Sequence, residues 1–177
     1  MKTLYIGAGH DNARQGAEAF GYTESGLMSQ LRDWLAVGLS YKMVNVTTDG
    51  FGNVNETLLT ALDLLKEYKP DIAIELHLNA STDPTANGVE CLALPRLKRE
   101  CQLISQSIAL SLGQRLRGDY GYVRQEDSHW GKLAFVEAGG IIVELFFLTH
   151  KPSLDRYLAK RRDVAYDLGV TLLGMCK

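Results

Sequence analysis

Four polar residues stand where an apolar strand should simply run on or end. His10 follows the strand-like run "TLYIGAG", and Glu24 lies fourteen residues on, across the glycine-rich loop "HDNARQGAEAFGYTES". His77 sits near the end of "DIAIELHLNA", and Glu144 interrupts "GGIIVELFF". Two imidazoles and a carboxylate can form a three-ligand zinc set that leaves a fourth position for water. Zinc lowers the pKa of such a water toward ~7, and a further carboxylate can take its proton. Glu144 suits that base, because an ionised carboxylate in an apolar strand is costly unless paired, hydrogen-bonded or close to a metal. Singly, each histidine also fits a hydrogen-bonded strand end, and Glu144 a buried ion pair. The set of four is what points to zinc hydrolysis.

Such residues need a scaffold that brings them together. Lys2–Ala8 reads as a strand, and Glu24–Ser40 as an amphipathic helix with Leu27, Leu31, Trp34, Leu35 and Leu39 on one face. Tyr41–Thr48 is a short β-branched strand. Asn53–Tyr68 is a helix behind the cap candidate Asn55, broken by Pro70. Asp71–Ala80 alternates, with Ile72, Ile74, Leu76 and Leu78 on one face and Ala73, Glu75, His77 and Asn79 on the other. Gly88–Leu94 is a strand, Arg96–Arg117 a long helix, and Trp130–Ala138 contains a short one. Gly139–Phe147 is a nearly continuous apolar strand, as expected of one buried on both faces. A helix over Ser153–Met175 closes the chain. This alternation predicts an α/β fold: one domain over residues 1–177, with a mainly parallel central sheet and helices on both faces. In such sheets functional residues gather beyond the carboxyl ends of the strands, where His10 and His77 fall.

Composition narrows the classes. A chain of 177 residues, 46% hydrophobic and 23% charged, fits one domain with a sizeable core. A net charge of −2 lacks the basic stripe of a nucleic-acid binder, and Lys160–Arg162 reads as a solvated helix face. No apolar run reaches the length of a membrane span, so no integral membrane association is expected. The start "MKTLYIGAGHD" lacks the apolar core of a secretory signal. The three cysteines, Cys91, Cys101 and Cys176, have no CxxC spacing and read as free thiols.

The order "AGHDNARQGAEAFGYTES", "ELHLNAS" with "NGVECLAL", and "GGIIVELFFLTH" resembles the zinc-dependent N-acetylmuramoyl-L-alanine amidases of the type-3 group. The resemblance runs over essentially the whole chain. It implies one Zn2+ ion held by His10, Glu24 and His77, with Glu144 as the catalytic glutamate that activates water and protonates the leaving amine. It also implies cleavage of the amide between the lactyl group of N-acetylmuramic acid and the first L-alanine of the peptidoglycan stem peptide. Three departures stand out. Asp11 follows His10 where the family usually has glycine, and reads as a turn-former or a partner of an imidazole. Glu75 stands where serine is common, on the face of His77, and reads either as a supporting or substrate-binding group or as the structural partner of a buried Arg or Lys. Glu18 competes with Glu24 as the acidic ligand, and the pre-helix "GYTES" favours Glu24. Asn79 and His129 are further candidates for supporting the site or touching substrate, and His150 reads as a residue leading into the last helix.

Two other functions share parts of this pattern. A zinc peptidase or deacylase acting on a smaller amide or wall fragment would use the same metal and base. A non-catalytic wall-binding module would be expected to lose one of the four residues, and all are present. Without an export signal, the expectation is synthesis in the cytoplasm and action on the wall after release, as in a phage-type endolysin, or on wall fragments. A monomer is favoured.

Overall fold

The computed structural model describes residues 3–10, 13–40, 45–52, 57–128 and 131–176. Strand β1 (Thr3–Ala8) is buried along almost its whole length. A hairpin of β2 (Glu18–Ala19) and β3 (Tyr22–Thr23) follows, turning through Phe20 and Gly21, both in the left-handed region. That pair of positive φ values is the twist a two-residue hairpin turn needs. The hairpin delivers the chain into helix α1 (Glu24–Ser40), which buries Leu27, Met28, Leu31, Leu35 and Leu39. Strand β4 (Asn45–Thr48) and helix α2 (Leu58–Tyr68) come next. Thr57 caps α2 by accepting from the Thr60 amide, while the expected cap Asn55 lies outside the described residues.

Strand β5 (Ile72–Asn79) is followed by β6 (Glu90–Ala93) and, after a short turn of 3-10 helix, by α3 (Lys98–Leu112). Sequence periodicity extends α3 to Arg117, but Gly113 takes the left-handed conformation and stops it. Residues 115–117 then run beside the start of β6. Strand β7 (Tyr122–Arg124), which periodicity did not mark, is too short to show alternation. A short helix α4 (Ala134–Glu137), strand β8 (Ile141–Phe147) and the long helix α5 (Lys151–Met175) complete the fold.

The six-stranded sheet has the order β4-β1-β5-β8-β6-β7. β4, β1, β5 and β8 are parallel, and β6 joins β8 antiparallel with β7 parallel to it. Helices α1, α3 and α5 cover one face over a core that includes Ile6, Ile74, Val143 and Leu168. Helices α2 and α4 cover only part of the other, over Tyr5, Ala73, Leu92, Phe135 and Ile142. The expected α/β architecture is the observed one. No helix among the described residues is long and apolar enough to cross a membrane. Cys91 and Cys101 are buried and Cys176 is partly exposed, and none of the three is joined in a disulfide.

Candidate metal centre

The partly covered face leaves a cleft of about 490 Å³ at the carboxyl ends of β5 and β8, lined by His10, Glu24, His77, Asn79, Ile142 and Glu144 among others. Chain paths at two glycines make it possible. The Gly9 amide donates to the Leu76 carbonyl at 2.8 Å, carrying the end of β1 along β5. A side chain at residue 9 would collide with the His77 ring, so glycine is required there. At Gly16, φ is +73°, and an added Cβ would lie 2.5 Å from both Glu24 Oε2 and His10 Cδ2. The loop closes through hydrogen bonds from the Glu24 amide to the Ala17 carbonyl at 2.9 Å and from the Ser25 amide to the Gln15 carbonyl at 3.1 Å. Those bonds fold the start of α1 back over the strand ends. His10 itself is left-handed, at φ 67°, a conformation that histidine adopts more readily than most side chains.

Glu24 is the hub. It is buried, at 3% exposure. Its Oε1 accepts from the Leu78 amide at 2.9 Å and lies 3.0 Å from His77 Nδ1. Its Oε2 accepts from the Ala17 amide at 3.0 Å and lies 3.3 Å from His10 Nε2. Burial alone would raise the Glu24 carboxyl, but the hydrogen bonds from both imidazoles and their charge outweigh it and hold it well below the usual carboxylate range. His77 shows the converse balance. Burial disfavours its charge, yet hydrogen bonds to Glu24 and Glu75, with the charges of Glu75 and Glu144, raise it well above the ordinary imidazole value.

Glu75 lies two residues before His77, on the same face, and its Oε2 accepts from His77 Nε2 at 2.9 Å. This is the arrangement in which a carboxylate orients a metal-ligating imidazole, leaving the other ring nitrogen for the metal. On the other side of β5, Glu144 is the register partner of His77. Beyond it, Glu90 on β6 is the register partner of Glu144. Among the described residues, Glu144 Oε2 is buried without a hydrogen-bond partner. Burial pushes the Glu144 carboxyl up to about 7, against the pull of His77 and with the help of Glu24, Glu90 and Glu75. Just past Glu144 the register slips, so that His77–Asn79 on β5 spans Glu144–Phe147 on β8. A bulge of this kind re-aims side chains beside a functional site.

These residues fit a divalent cation. His10, Glu24 and His77 each offer a ligand atom, and the three atoms lie within 4.8 Å of one another. Two imidazole nitrogens and a carboxylate oxygen are the donor types of a catalytic zinc site with an open position. Three carboxylates (Glu24, Glu75 and Glu144) bear on the single imidazole of His77, and an unpartnered buried oxygen faces the same cleft. An excess of buried negative charge is what a bound cation offsets.

The structure thus brings together His10, Glu24, His77, Glu144, Glu75 and Asn79. Glu18 is exposed in β2 and takes no part in the cluster. His150 precedes α5, with Nδ1 2.6 Å from the Ser153 hydroxyl. Asp11 and His129 lie outside the described residues. Sequence reading passed over the partners of Asn79: its amide donates to Glu90 Oε1 at 2.8 Å, and Arg117 Nε donates to Glu90 Oε2 at 2.9 Å. The one available signal was Glu90 within "NGVE", a carboxylate at the mouth of an apolar strand.

The family model for N-acetylmuramoyl-L-alanine amidases matches residues 4–166. Among solved structures, the chain is similar to a Neisseria meningitidis protein assigned as an N-acetylmuramoyl-L-alanine amidase. Identity is 31%, over 97% of this chain and 93% of that one, with a TM-score of 0.89. It shares its fold with an N-acetylmuramoyl-L-alanine amidase from Clostridium difficile 630, at 21% identity, 98% and 95% coverage and a TM-score of 0.80. The amidase AmiC2 of Nostoc punctiforme shares it too, at 14% identity, 98% and 96% coverage and a TM-score of 0.81. No protein of curated function matches the sequence.

Proposed function

The chain belongs to the N-acetylmuramoyl-L-alanine amidase family and hydrolyses the amide between N-acetylmuramic acid and L-alanine in peptidoglycan, and we propose that it does so with one zinc ion held by His10, Glu24 and His77 and with Glu144 as the proton carrier. The carrying observation is the convergence of those three ligand atoms within 4.8 Å, beside the buried, unpartnered oxygen of Glu144. Zinc, when bound, supplies the Lewis acidity that makes water a nucleophile near neutral pH.

The chain's own residues do the rest. Glu144 takes one proton from the water as its oxygen bonds to the lactyl carbonyl carbon. It returns that proton to the alanine nitrogen as the C–N bond breaks, releasing a lactyl carboxyl group and a free amine. Leu133 and Ile142 line the same cleft and keep it partly apolar, which strengthens each charge interaction inside it. Glu75 holds the His77 ring from behind, and Glu24, fixed by the Leu78 and Ala17 amides, keeps both imidazoles turned inward. We place the reaction on the peptidoglycan of the cell wall.

The test is a digest of purified peptidoglycan, with and without chelator, read by mass spectrometry. Stem peptides with a free N-terminal L-alanine, absent with chelator and restored by zinc, are expected. Cuts within the peptide would instead mark a zinc peptidase, and metal-independent release would remove zinc from the reaction.

A further inference from the structure

A row of polar side chains crosses one face of the sheet. It runs from His77 on β5 to Glu144 on β8 and Glu90 on β6, residue opposite residue. The next segment outward is 115–117, where the Val89 amide donates to the Arg115 carbonyl and the Arg117 amide donates to the Val89 carbonyl, both at 2.9 Å. Arg117 therefore ends the row. Its Nε donates to Glu90 Oε2 at 2.9 Å, and its guanidinium carbon lies 4.9 Å from the centroid of the Phe147 ring. A salt bridge on one edge and an aromatic face beneath hold the planar group in one orientation.

That orientation leaves donors free. A guanidinium carries five N–H donors, and Glu90 takes the one on Nε. Among the described residues, the terminal nitrogens of Arg117 have no acceptor. They border a hollow of about 520 Å³ in which the neighbouring charges are already paired, Lys98 with Asp119 and Arg124 with Asp127. Asn79 joins this hollow to the cleft, since it lines the cleft and bonds Glu90.

We propose that Arg117, fixed by Glu90 and Phe147, is a subsite for a carboxylate of the stem peptide. Spacing supports the ligand class. At ~4.8 Å per strand, two strand steps put the Arg117 backbone about 10 Å from that of Glu144. An extended peptide covers that distance in about two to three residues, at ~3.5 Å each. A carboxylate at the second or third residue of the stem thus reaches the guanidinium fork while the first amide lies between His77 and Glu144. Arginine's two parallel N–H groups match a carboxylate and reject the corresponding carboxamide, whose NH2 group is a donor facing donors.

The subsite rests on the amidase reading of the cleft, and the experiment separates the two. Muramyl tripeptides with the side carboxylates of stem residues 2 and 3 free, or converted to amides, are compared for kcat/KM. The wild type is expected to favour the free acid by about 10- to 100-fold, the range of one charge-assisted hydrogen-bonded pair. Arg117→Met and Arg117→Gln are expected to cleave both substrates at the rate the wild type shows on the amide. Their cleavage of the amidated substrate reports a folded enzyme with a working centre. Discrimination retained in both variants, or absent from the wild type, overturns the subsite and leaves the amidase reading standing.

Discussion

Arg32 and Asp49 are buried beside the end of β1, and Glu24, Glu75, His77 and Glu144 are gathered a few residues farther along the same strand ends. The first group is closed. Arg32 bonds Asp49 at 3.2 Å, Asp33 at 2.9 Å and the Gly52 carbonyl at 3.1 Å, while Asp49 also accepts from the Ala8 amide. Burial pushes Asp49 up to about 6, with Arg32 pulling the other way, so it is ionised and paired at neutral pH. The second group is open. Among the described residues it carries more carboxylates than cations, and one oxygen of Glu144 has no partner. Buried charge that is matched in place holds a fold together, and buried charge that is not awaits something from outside. The closed cluster also serves the open one, because Ala8 is two residues from His10.

The largest expected effect lies in the open cluster. Glu144→Gln keeps the shape and removes the proton carrier, so hydrolysis of peptidoglycan should fall by about 10²–10⁴-fold while zinc binding is retained. His77→Ala should lose the metal as well. Rate assays paired with metal analysis check both, and a Glu144→Gln enzyme with wild-type turnover would take Glu144 out of the mechanism. Next comes the closed cluster. Arg32→Met strands a buried Asp49 and should cost about 3–5 kcal/mol in denaturant unfolding, with or without zinc. A loss below about 1 kcal/mol would mean that Asp49 finds its partners elsewhere.

The third prediction turns on sign. In the metal-free protein the Glu144 carboxyl is raised from its ordinary value to about 7. The folded state therefore holds its proton more tightly than the unfolded chain does. Its contribution to stability is lost as pH rises from about 4.5 through 7, and above that the fold carries an uncompensated charge. Metal-free Glu144→Gln should accordingly be more stable than the wild type at pH 8, by about 3 kcal/mol, with the gap closing toward pH 4.5. Added zinc should narrow it. A wild type more stable than the variant at pH 8 would place a cationic partner on Glu144 and erase the contrast with Arg32.

Much of this was readable from residue types and order. Alternation in β5 put Glu75, His77 and Asn79 on one face, and the apolar run of β8 made Glu144 conspicuous. The helix α1 begins and ends where its periodicity does. What escaped was whatever depends on the register between distant strands. Nothing local says that β6 enters antiparallel, and that reversal is what sets Glu90 against Glu144. Arg117 reads as the last turn of a helix until Gly113 is seen to end it. The pairing of Arg32 with Asp49 links two elements that no spacing rule connects. Glu75 was placed on the right face by period-2 geometry, but its partner was open, because an acid beside a buried strand can serve a lysine as readily as a histidine.

Glu75 gives the smallest effect and the sharpest division between the clusters. It is buried, and His77 donates to it from Nε2 while Nδ1 faces Glu24. A metal at Nδ1 must displace the proton there, and a carboxylate at Nε2 makes the ring a better donor to that metal. Glu75→Gln keeps an oxygen able to accept from Nε2 but removes the charge, and Glu75→Leu removes both. Zinc affinity, measured by competition with a chromogenic chelator, should fall about 10–100-fold, with leucine worse than glutamine. Circular dichroism of the same samples separates a lost orientation from a lost fold. Were both variants to bind zinc as the wild type does, Glu75 would belong with Arg32 and Asp49, as a charge whose partner is structural.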